Sequence, residues 1–359
     1  MDLSTTDSTP AAGSEVDTSR RLAIKRGAAL AAGAAITGFP AIVRSQGTKK
    51  FPRPIIAPVG TNEEEPQYYF VQAVKKILAE KYDWEVNFST SAFGSLGSAL
   101  GQLVSVQTGF IDFFFSSTQN WAATTPVWDF IDLPYIIPDW ETGLKLLKSD
   151  AFWGQAKKME AEVKSVKVFP PITSNGFRIL WNRTRELKKP ADVQGLKFRT
   201  TPSPLDVGII KAWGGNPTPI DFLETYSAIQ QNVVSGLYSQ PYWTSRFNFQ
   251  EVVKFGTEPR ANWVVNIVVM NVNLWNAMPK PLQDAFWAAS VQAADEANQR
   301  DRATEENYKK KLQAAGLSIY KPSEAEYKEW RTAGETVWQI PAAKSIDPAL
   351  VSAVRAIRA

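Results

Sequence analysis

Two arginines near the middle of the chain are the side chains best suited to bind an anion. Arg199 ends an alternating, strand-like segment, and Arg178 lies on a short strand-like segment before it. A guanidinium group is planar and always charged, and its fork of N–H donors matches the two oxygens of a carboxylate. Two arginines on neighbouring strands could face one anion. The alternative is that each pairs with a local Asp or Glu, and spacing alone leaves both interpretations open.

Carboxylates are the other candidates for chemistry. Asp206, Asp221 and Glu224 could supply an acid–base pair, but no partner of set spacing accompanies them, and a helix-end role suits Asp221 better. The acidic run 63–65 is predicted to be the solvated first turn of a helix. The Gly-rich segment 94–101 lacks the lysine of a phosphate-binding loop and is predicted to be a tight turn that opens a helix.

The composition excludes several classes of function. Among 359 residues there is no Cys and no His, which removes thiol nucleophiles, disulfides, Ser-His-Asp triads and the commonest metal ligands. A net charge of +4 is too small to indicate a nucleic-acid surface. We therefore predict no cofactor, no metal site and no nucleic-acid partner. The 13 Trp, 19 Phe and 10 Tyr are mostly expected in the core, with a few lining a pocket.

Residues 1–47 have the pattern of a bacterial export signal. The segment 19–21 (Ser-Arg-Arg), followed by Lys25, resembles a twin-arginine signal, and an apolar stretch rich in Ala and Gly covers 27–43. A membrane anchor is the alternative, but this stretch is too short and too rich in Gly for a span of about 20 residues. We predict a signal that is removed, a mature chain that begins near Thr48, and export to the periplasm in the folded state.

The rest of the chain alternates strand-like and helix-like segments. Up to about residue 169 the order of segments predicts an α/β domain with a largely parallel sheet, in which Leu100, Leu103 and Val104 face inward on a helix. Further strand-like and helix-like segments follow. Residues 281–315 contain no Gly and no Pro after the first position, which predicts one helix on the order of 50 Å long that runs along two domains.

The chain is therefore predicted to be a two-lobed α/β protein with a cleft. We expect lobe I to hold residues 48–173 and about 262–300, lobe II to hold 174–261 and about 301–340, and 341–359 to form a C-terminal helix. Ligands of open α/β sheets bind at the carboxyl ends of the strands. Three residues are predicted to lie at or just beyond such ends: Gly60, Ser116 and Arg199.

Several segments, in order, resemble the solute-binding proteins of tripartite ATP-independent periplasmic (TRAP) transporters. They are STSAFGSLGS, VQTGFIDFFFSS, DLPYII, ADVQGLKFRTTPSP and GGNPTPIDFLETYSAIQQNVVSG. The resemblance covers about residues 53–335. It implies a fold like that of periplasmic binding proteins, with mixed sheets in each lobe and a long helix across both. It also implies a receptor that binds an organic acid in the cleft and delivers it to the small and large permease subunits, with only peripheral contact with the membrane.

The resemblance also implies roles for individual residues. Arg199 matches the family arginine that clamps the ligand carboxylate, Arg178 matches a second family arginine, and Phe222 matches a cleft aromatic residue. The positions that match family residues near the ligand at the end of a strand are Ser116, Ser117 and Thr118.

The chain departs from the family pattern beside the expected ligand. Where the family has an asparagine that touches the ligand, Ser239 or Gln240 would stand in, with Tyr238 and Trp243 nearby. Trp181 replaces a small polar residue that is common after the second arginine. Fewer polar partners and more rings predict a less hydrophilic ligand than a sugar acid, namely an aromatic or branched monocarboxylate.

Two other functions remain as alternatives at this point. A receptor that passes ligand occupancy to a membrane sensor would have the same sequence features. An exported hydrolase that uses carboxylates, such as a glycosidase, would need two Asp or Glu side chains roughly 5–9.5 Å apart in a cleft.

Overall fold

A computed structural model of the chain describes residues 48–357. The predicted export signal at 1–47 lies outside the described residues. Between residues 48 and 357, no helix is both long enough and apolar enough to cross a membrane.

Strands and helices alternate along the described chain. The strands are β1 (Lys49–Lys50), β2 (Ile55–Ala57), β3 (Trp84–Glu85), β4 (Phe88–Thr90), β5 (Phe113–Ser117), β6 (Val166–Phe177), β7 (Ile179–Asn182), β8 (Lys197–Thr200), β9 (Asn216–Pro219), β10 (Gly236–Ser239), β11 (Phe255–Thr257), β12 (Trp263–Asn271) and β13 (Ser318–Tyr320). The α-helices are α1 (Pro66–Tyr82), α2 (Ala99–Thr108), α3 (Thr118–Trp121), α4 (Asp129–Asp132), α5 (Trp140–Leu147), α6 (Asp150–Val163), α7 (Pro204–Ala212), α8 (Thr225–Gln230), α9 (Pro241–Arg246), α10 (Val272–Ala277), α11 (Lys280–Ala314), α12 (Glu324–Glu335), α13 (Pro341–Lys344) and α14 (Pro348–Ala356). Single 3₁₀ turns lie at Pro126–Trp128, Pro190–Val193, Phe222–Glu224, Phe249–Glu251 and Thr336–Gln339.

Lobe I is built around the sheet β5-β12-β6. Both pairings in this sheet are antiparallel, whereas the short pairs β2–β4 and β1–β3 beside it are parallel. The expectation of a largely parallel sheet is therefore wrong for the central strands. The prediction failed because an apolar run does not encode strand direction. The strand β12 comes from a distant part of the chain and inserts between β5 and β6. Helices α1 and α11 bury one face of the sheet.

Lobe II is built on a mixed sheet of six strands in the order β13-β11-β7-β10-β8-β9. The strand β10 pairs antiparallel with β7 and parallel with β8. Close packing at β10 requires a residue without a side chain, since a Cβ on Gly236 would lie 1.9 Å from the carbonyl oxygen of Trp181. Mixed strand directions in this lobe agree with the predicted fold class.

Two long elements carry the chain between the lobes. The helix α11 is 35 residues long and packs on α1 and β6 as well as on α9 and β13. The strand β6 bends where Asn175 and Gly176 have positive φ angles of 59° and 77°. Beside this bend, the buried Asp301 of α11 accepts hydrogen bonds from the hydroxyl of Thr173 and the backbone N–H of Asn175. The two crossing segments are thus fastened to each other.

Two local predictions in lobe I are wrong. Of the three apolar residues expected to face inward on α2, only Leu103 is buried, while Leu100 and Val104 are 40% and 59% exposed. The buried stripe of this helix is formed by Gln102, Leu103 and Val106. The run 63–65 precedes α1 rather than forming its first turn, and Glu65 is buried. Its carboxylate accepts hydrogen bonds from Arg246 at the end of α9, with the nearest nitrogen 2.7 Å away. Burial raises the pKa of this carboxyl above its ordinary value.

Candidate functional site

A cavity of about 280 Å³ lies between the carboxyl-terminal end of β5 in lobe I and the ends of β8 and β10 in lobe II. It brings together most of the predicted site residues: Ser116, Ser117, Arg178, Arg199, Phe222, Tyr238, Ser239, Gln240 and Trp243. These residues are distant in the sequence, and the strand ends bring them to one place.

Two predicted site residues do not line this cavity. Thr118 is fully buried at the start of α3 and donates a hydrogen bond from its hydroxyl to Asp132, 2.6 Å away. Trp181 is fully buried in the lobe II sheet, where its indole N–H donates to the carbonyl of Ser239 and its ring covers Gly256. Both are therefore core positions. Trp181 lies on β7, where alternation sends successive side chains to opposite faces, and Thr118 lies in α3, where its hydroxyl is bonded to the buried Asp132.

Arg199 lies on β8 and reaches the cavity without forming an ion pair in the described chain. Its Nε–H donates to the carbonyl of Ile220, 2.9 Å away, and the guanidinium carbon lies 5.3 Å from the centre of the Phe222 ring. None of the ion pairs found within residues 48–357 involves Arg199. Burial lowers the pKa of Arg199 to about 10, so the group stays cationic at neutral pH.

Arg178 lines the same cavity but has an acidic partner. Its Nη1 donates to Asp206 at 2.6 Å, its Nη2 donates to Gln119 at 3.0 Å, and the guanidinium lies over the ring of Tyr238. The strand β10 separates the segment that carries Arg178 from β8. The two arginines therefore do not lie on neighbouring strands, and pairing with a local acid holds for Arg178 but not for Arg199.

Aromatic rings form one wall of the cavity. Phe222 packs edge-on against Trp243, with ring centres 5.9 Å apart. Phe93, from the loop before α2 in lobe I, contacts both of these rings and also Phe247 at 5.2–6.4 Å. The indole N–H of Trp243 donates to the hydroxyl of Ser174, which fixes the ring. Rings from both lobes thus enclose the end of the cavity beside Arg199.

Sequence reasoning missed several cavity residues. Phe93, Asn120 and Asn266 line the cavity, as does Gln67 in the first turn of α1. Asn120 donates its amide N–H to the hydroxyl of Ser116, 3.1 Å away. A signal existed for Asn266, which is an amide in the middle of the apolar run of β12 and therefore stands out in a buried strand. No local signal marks Phe93, which belongs to a loop.

The acidic candidates do not form a catalytic pair in the cavity. The carboxylate of Asp206 is held by Arg178, while that of Asp221 accepts the backbone N–H of Leu223 at 3.0 Å. Glu224 is exposed and does not line the cavity. Over the described range 48–357, no group of three or more acidic side chains is placed to hold a metal ion.

The chain is similar to known bacterial solute-binding proteins. The family model for bacterial extracellular solute-binding protein, family 7 (DctP), matches residues 59–345. The 2,3-diketo-L-gulonate-binding periplasmic protein YiaO of Escherichia coli is 28% identical over 257 residues, which cover 71% of this chain and 73% of that protein. The C4-dicarboxylate-binding periplasmic protein DctP of Rhodobacter capsulatus is 31% identical over 242 residues, which cover 66% of this chain and 70% of that protein.

Solved structures show the same fold. The sugar acid binding protein DctPAm from Advenella mimigardefordensis, in complex with galactonate, has a TM-score of 0.79 at 20% identity, over 85% of this chain and 97% of that one. A TRAP periplasmic solute binding protein from Bordetella bronchispeptica, with density interpreted as pantoate, has a TM-score of 0.76 at 20% identity, over 87% of this chain and 100% of that one. At these identities the likeness confirms the predicted two-lobed α/β fold.

Proposed function

Since the chain belongs to the bacterial extracellular solute-binding protein family 7, we propose that it is the solute receptor of a TRAP transporter. The receptor works in the periplasm, binds an organic acid between its lobes and delivers it to the two membrane permease subunits. The twin-arginine pattern at 19–21 supports export in the folded state. The relatives described above are binding proteins, and the receptor catalyses no reaction.

One observation supports this proposal above the others: a buried guanidinium without an acidic partner in the described chain. Arg199 is 6% exposed, and its hydrogen bond to the carbonyl of Ile220 uses Nε, so the fork of Nη donors remains for a ligand. A buried charge is costly unless it is paired and hydrogen-bonded. A carboxylate supplies both the opposite charge and two acceptors in the geometry of the fork.

The walls of the cavity support a ligand with one carboxylate and an apolar body. Phe93, Phe222 and Trp243 surround the space next to Arg199, and Leu223 adds an apolar edge. Such a surface favours an aromatic or branched monocarboxylate over a polyhydroxylated sugar acid, because each buried hydroxyl would need a partner. Among the structural relatives, one has density interpreted as the branched monocarboxylate pantoate, while others hold succinate or sugar acids. The proposed class therefore rests on the walls of this cavity.

The proposed mechanism is capture followed by closure. The acid enters between the lobes, Arg199 binds its carboxylate, and the lobes hinge around it. Exclusion of water strengthens the hydrogen bonds, since the local dielectric falls. A charge-assisted hydrogen bond of this kind contributes roughly 1.5–3 kcal/mol net, which corresponds to about 10- to 100-fold in affinity. The closed form is the one that the permease would recognise.

A thermal-shift panel tests the ligand class directly. The purified protein is heated with aryl and branched monocarboxylates, with succinate and with sialic acid. We expect stabilisation by the apolar monocarboxylates. Stabilisation by succinate or sialic acid alone would contradict an aromatic or branched monocarboxylate as the ligand. It would still agree with a receptor for organic acids.

The variant Arg199→Lys tests the clamp in the same panel. An ammonium group cannot present the planar fork, so we expect at least a 10-fold loss of affinity for any acid that the wild type binds. Near-normal affinity of Arg199→Lys would contradict the role of Arg199.

A further inference from the structure

We infer that Asp206 sets the charge of the ligand: by neutralising Arg178, it leaves the cavity one available cation and makes the site select acids with a single carboxylate. This inference rests on the proposed function, because it concerns the same cavity. It assigns the selection to one residue that lies behind the cavity wall rather than to the groups that touch the ligand.

The contacts of Asp206 show that it holds Arg178 firmly. Its Oδ1 lies 2.6 Å from Nη1 of Arg178, and both side chains are almost fully buried, at 4% and 6% exposure. Its Oδ2 accepts the backbone N–H and the hydroxyl of Thr201, each at 2.8 Å. Both oxygens of this carboxylate are thus used within lobe II, and a buried carboxylate held by three hydrogen bonds does not exchange partners freely.

The orientation of Arg178 is fixed from other sides as well. Gln119, at the beginning of lobe I's helix α3, accepts a hydrogen bond from Nη2 at 3.0 Å. The ring of Tyr238 lies 5.4 Å from the guanidinium carbon. These contacts fix the orientation of the guanidinium. Its remaining donors, among them the buried Nε–H without a partner in the described chain, can offer hydrogen bonds to a ligand, but the charge of Arg178 is already balanced.

The two arginines therefore differ in what they can offer. Arg199 forms no ion pair within residues 48–357, and Asp206 and Asp221 act on its charge only at longer range, whereas Arg178 is paired directly with Asp206. A second ligand carboxylate would have to displace Asp206 from Arg178, which would leave that aspartate buried without its cation. If Asp206 is not displaced, the second ligand carboxylate would lie near its negative charge in a medium of low dielectric. Either arrangement disfavours a dicarboxylate, whatever the shape of its carbon chain.

The experiment compares acids that share a carbon skeleton and differ in one carboxylate. Succinate is measured against butyrate, and phenylsuccinate against 3-phenylbutyrate, by titration calorimetry on the full mature chain. We expect the wild type to bind the monocarboxylate of each pair at least 10-fold more tightly. In Asp206→Asn, which frees the charge of Arg178, we expect the affinity ratio to move towards the dicarboxylate by 10-fold or more.

A matched control removes the same charge elsewhere. Glu141→Gln breaks an exposed ion pair with Lys145 on α5, outside the cavity, and is expected to leave the ratio unchanged. If Asp206→Asn does not fold, the double variant Asp206→Asn/Arg178→Gln removes both charges of the pair. It should keep the preference of the wild type for one carboxylate.

The outcomes separate the inference from the function on which it rests. A wild type that prefers the dicarboxylates, or an unchanged ratio in Asp206→Asn, overturns the role of Asp206 while the receptor function stands. A double variant that gains preference for dicarboxylates overturns it too. A wild type that binds no acid of either class in the panel counts against the proposed function itself.

Discussion

Arg199 keeps its charge in a place where water cannot reach most of it. Burial lowers its pKa to about 10 because the charged form loses solvation, and no ion pair in the described chain compensates this loss. A charge in such a place costs the free protein stability, which the ligand restores when it binds. The buried charge of Arg199 therefore favours ligand binding but lowers the stability of the ligand-free protein.

Arg199→Met should accordingly separate the two properties. We expect loss of the ligand-induced thermal shift, while the Tm of the ligand-free protein stays unchanged or rises, since the apolar side chain removes the cost of burying a charge that forms no ion pair with the described residues. Lys197→Met removes an exposed charge from the same strand and is the matched control. A marked fall in Tm in Arg199→Met alone would indicate a structural arginine.

Asp129 is a buried carboxyl whose Oδ1 has no hydrogen-bond partner. Burial raises its pKa from 3.8 to about 6. Between these pH values the folded protein still holds a proton that the unfolded chain has lost. The contribution of Asp129 to stability therefore falls as pH rises from about 4 through 6, and its cost, up to about 2–3 kcal/mol, is complete above that range.

Asp129→Asn should remove this pH dependence. We expect the stability of the variant relative to wild type to be greater at pH 8 than at pH 4.5, measured by urea unfolding at both pH values. Asp284→Asn, at an exposed position of α11, serves as the control and should show no such difference. A difference of equal size in both variants would rule out the explanation by burial.

At the scale of elements, we expect the loop before α2 to cover a ligand in the cavity. Phe93 contacts three rings of lobe II, and a Cβ on Gly94 would lie 2.5 Å from Cδ1 of Leu223, so the loop packs closely against the opposite lobe. Edge-on ring pairs contribute about 0.5–1.5 kcal/mol each beyond area burial. These contacts join the two lobes and therefore favour the closed arrangement.

Phe93→Ala should weaken the binding of an acid about 10- to 100-fold, mainly through faster dissociation, because the contacts that hold the cover are lost. The Tm of the ligand-free protein should also fall, because the ring contacts of Phe93 are made without a ligand. Phe110→Ala, at a phenylalanine that is 64% exposed in the same lobe, provides the comparison in stopped-flow release experiments. An unchanged dissociation rate in Phe93→Ala would show that the loop does not cover the ligand.

The elements also show what the sequence could and could not predict. The helix expected at 281–315 is observed at Lys280–Ala314, since an unbroken helical pattern without Gly or Pro leaves few alternatives. Strand direction in lobe I was wrong, because β12 inserts from far along the chain. Trp181 was expected in the cavity although it is core, because a substitution relative to a family pattern does not reveal which face of a strand it occupies.

At the scale of the whole molecule, the sequence predicted the two-lobed fold, and most of the residues predicted for the site line one cavity. The sequence could not decide which arginine is free. The partner of Arg178 is Asp206 on a helix of the same lobe, and such a pairing depends on how β7, β8 and α7 are placed, which local spacing does not determine. Charge pairing across elements is thus the information that required the structure.

The helix α11 belongs to both lobes at once. It forms part of the wall of lobe I through α1 and β6, continues to α9 and β13, and is fastened at Asp301 to the bend in β6. Unfolding of either lobe would therefore remove contacts of α11 on which the other lobe depends. We expect the protein to melt as one cooperative unit, with a single calorimetric peak whose calorimetric and van't Hoff enthalpies agree, and two resolved peaks would show that the lobes are thermodynamically independent.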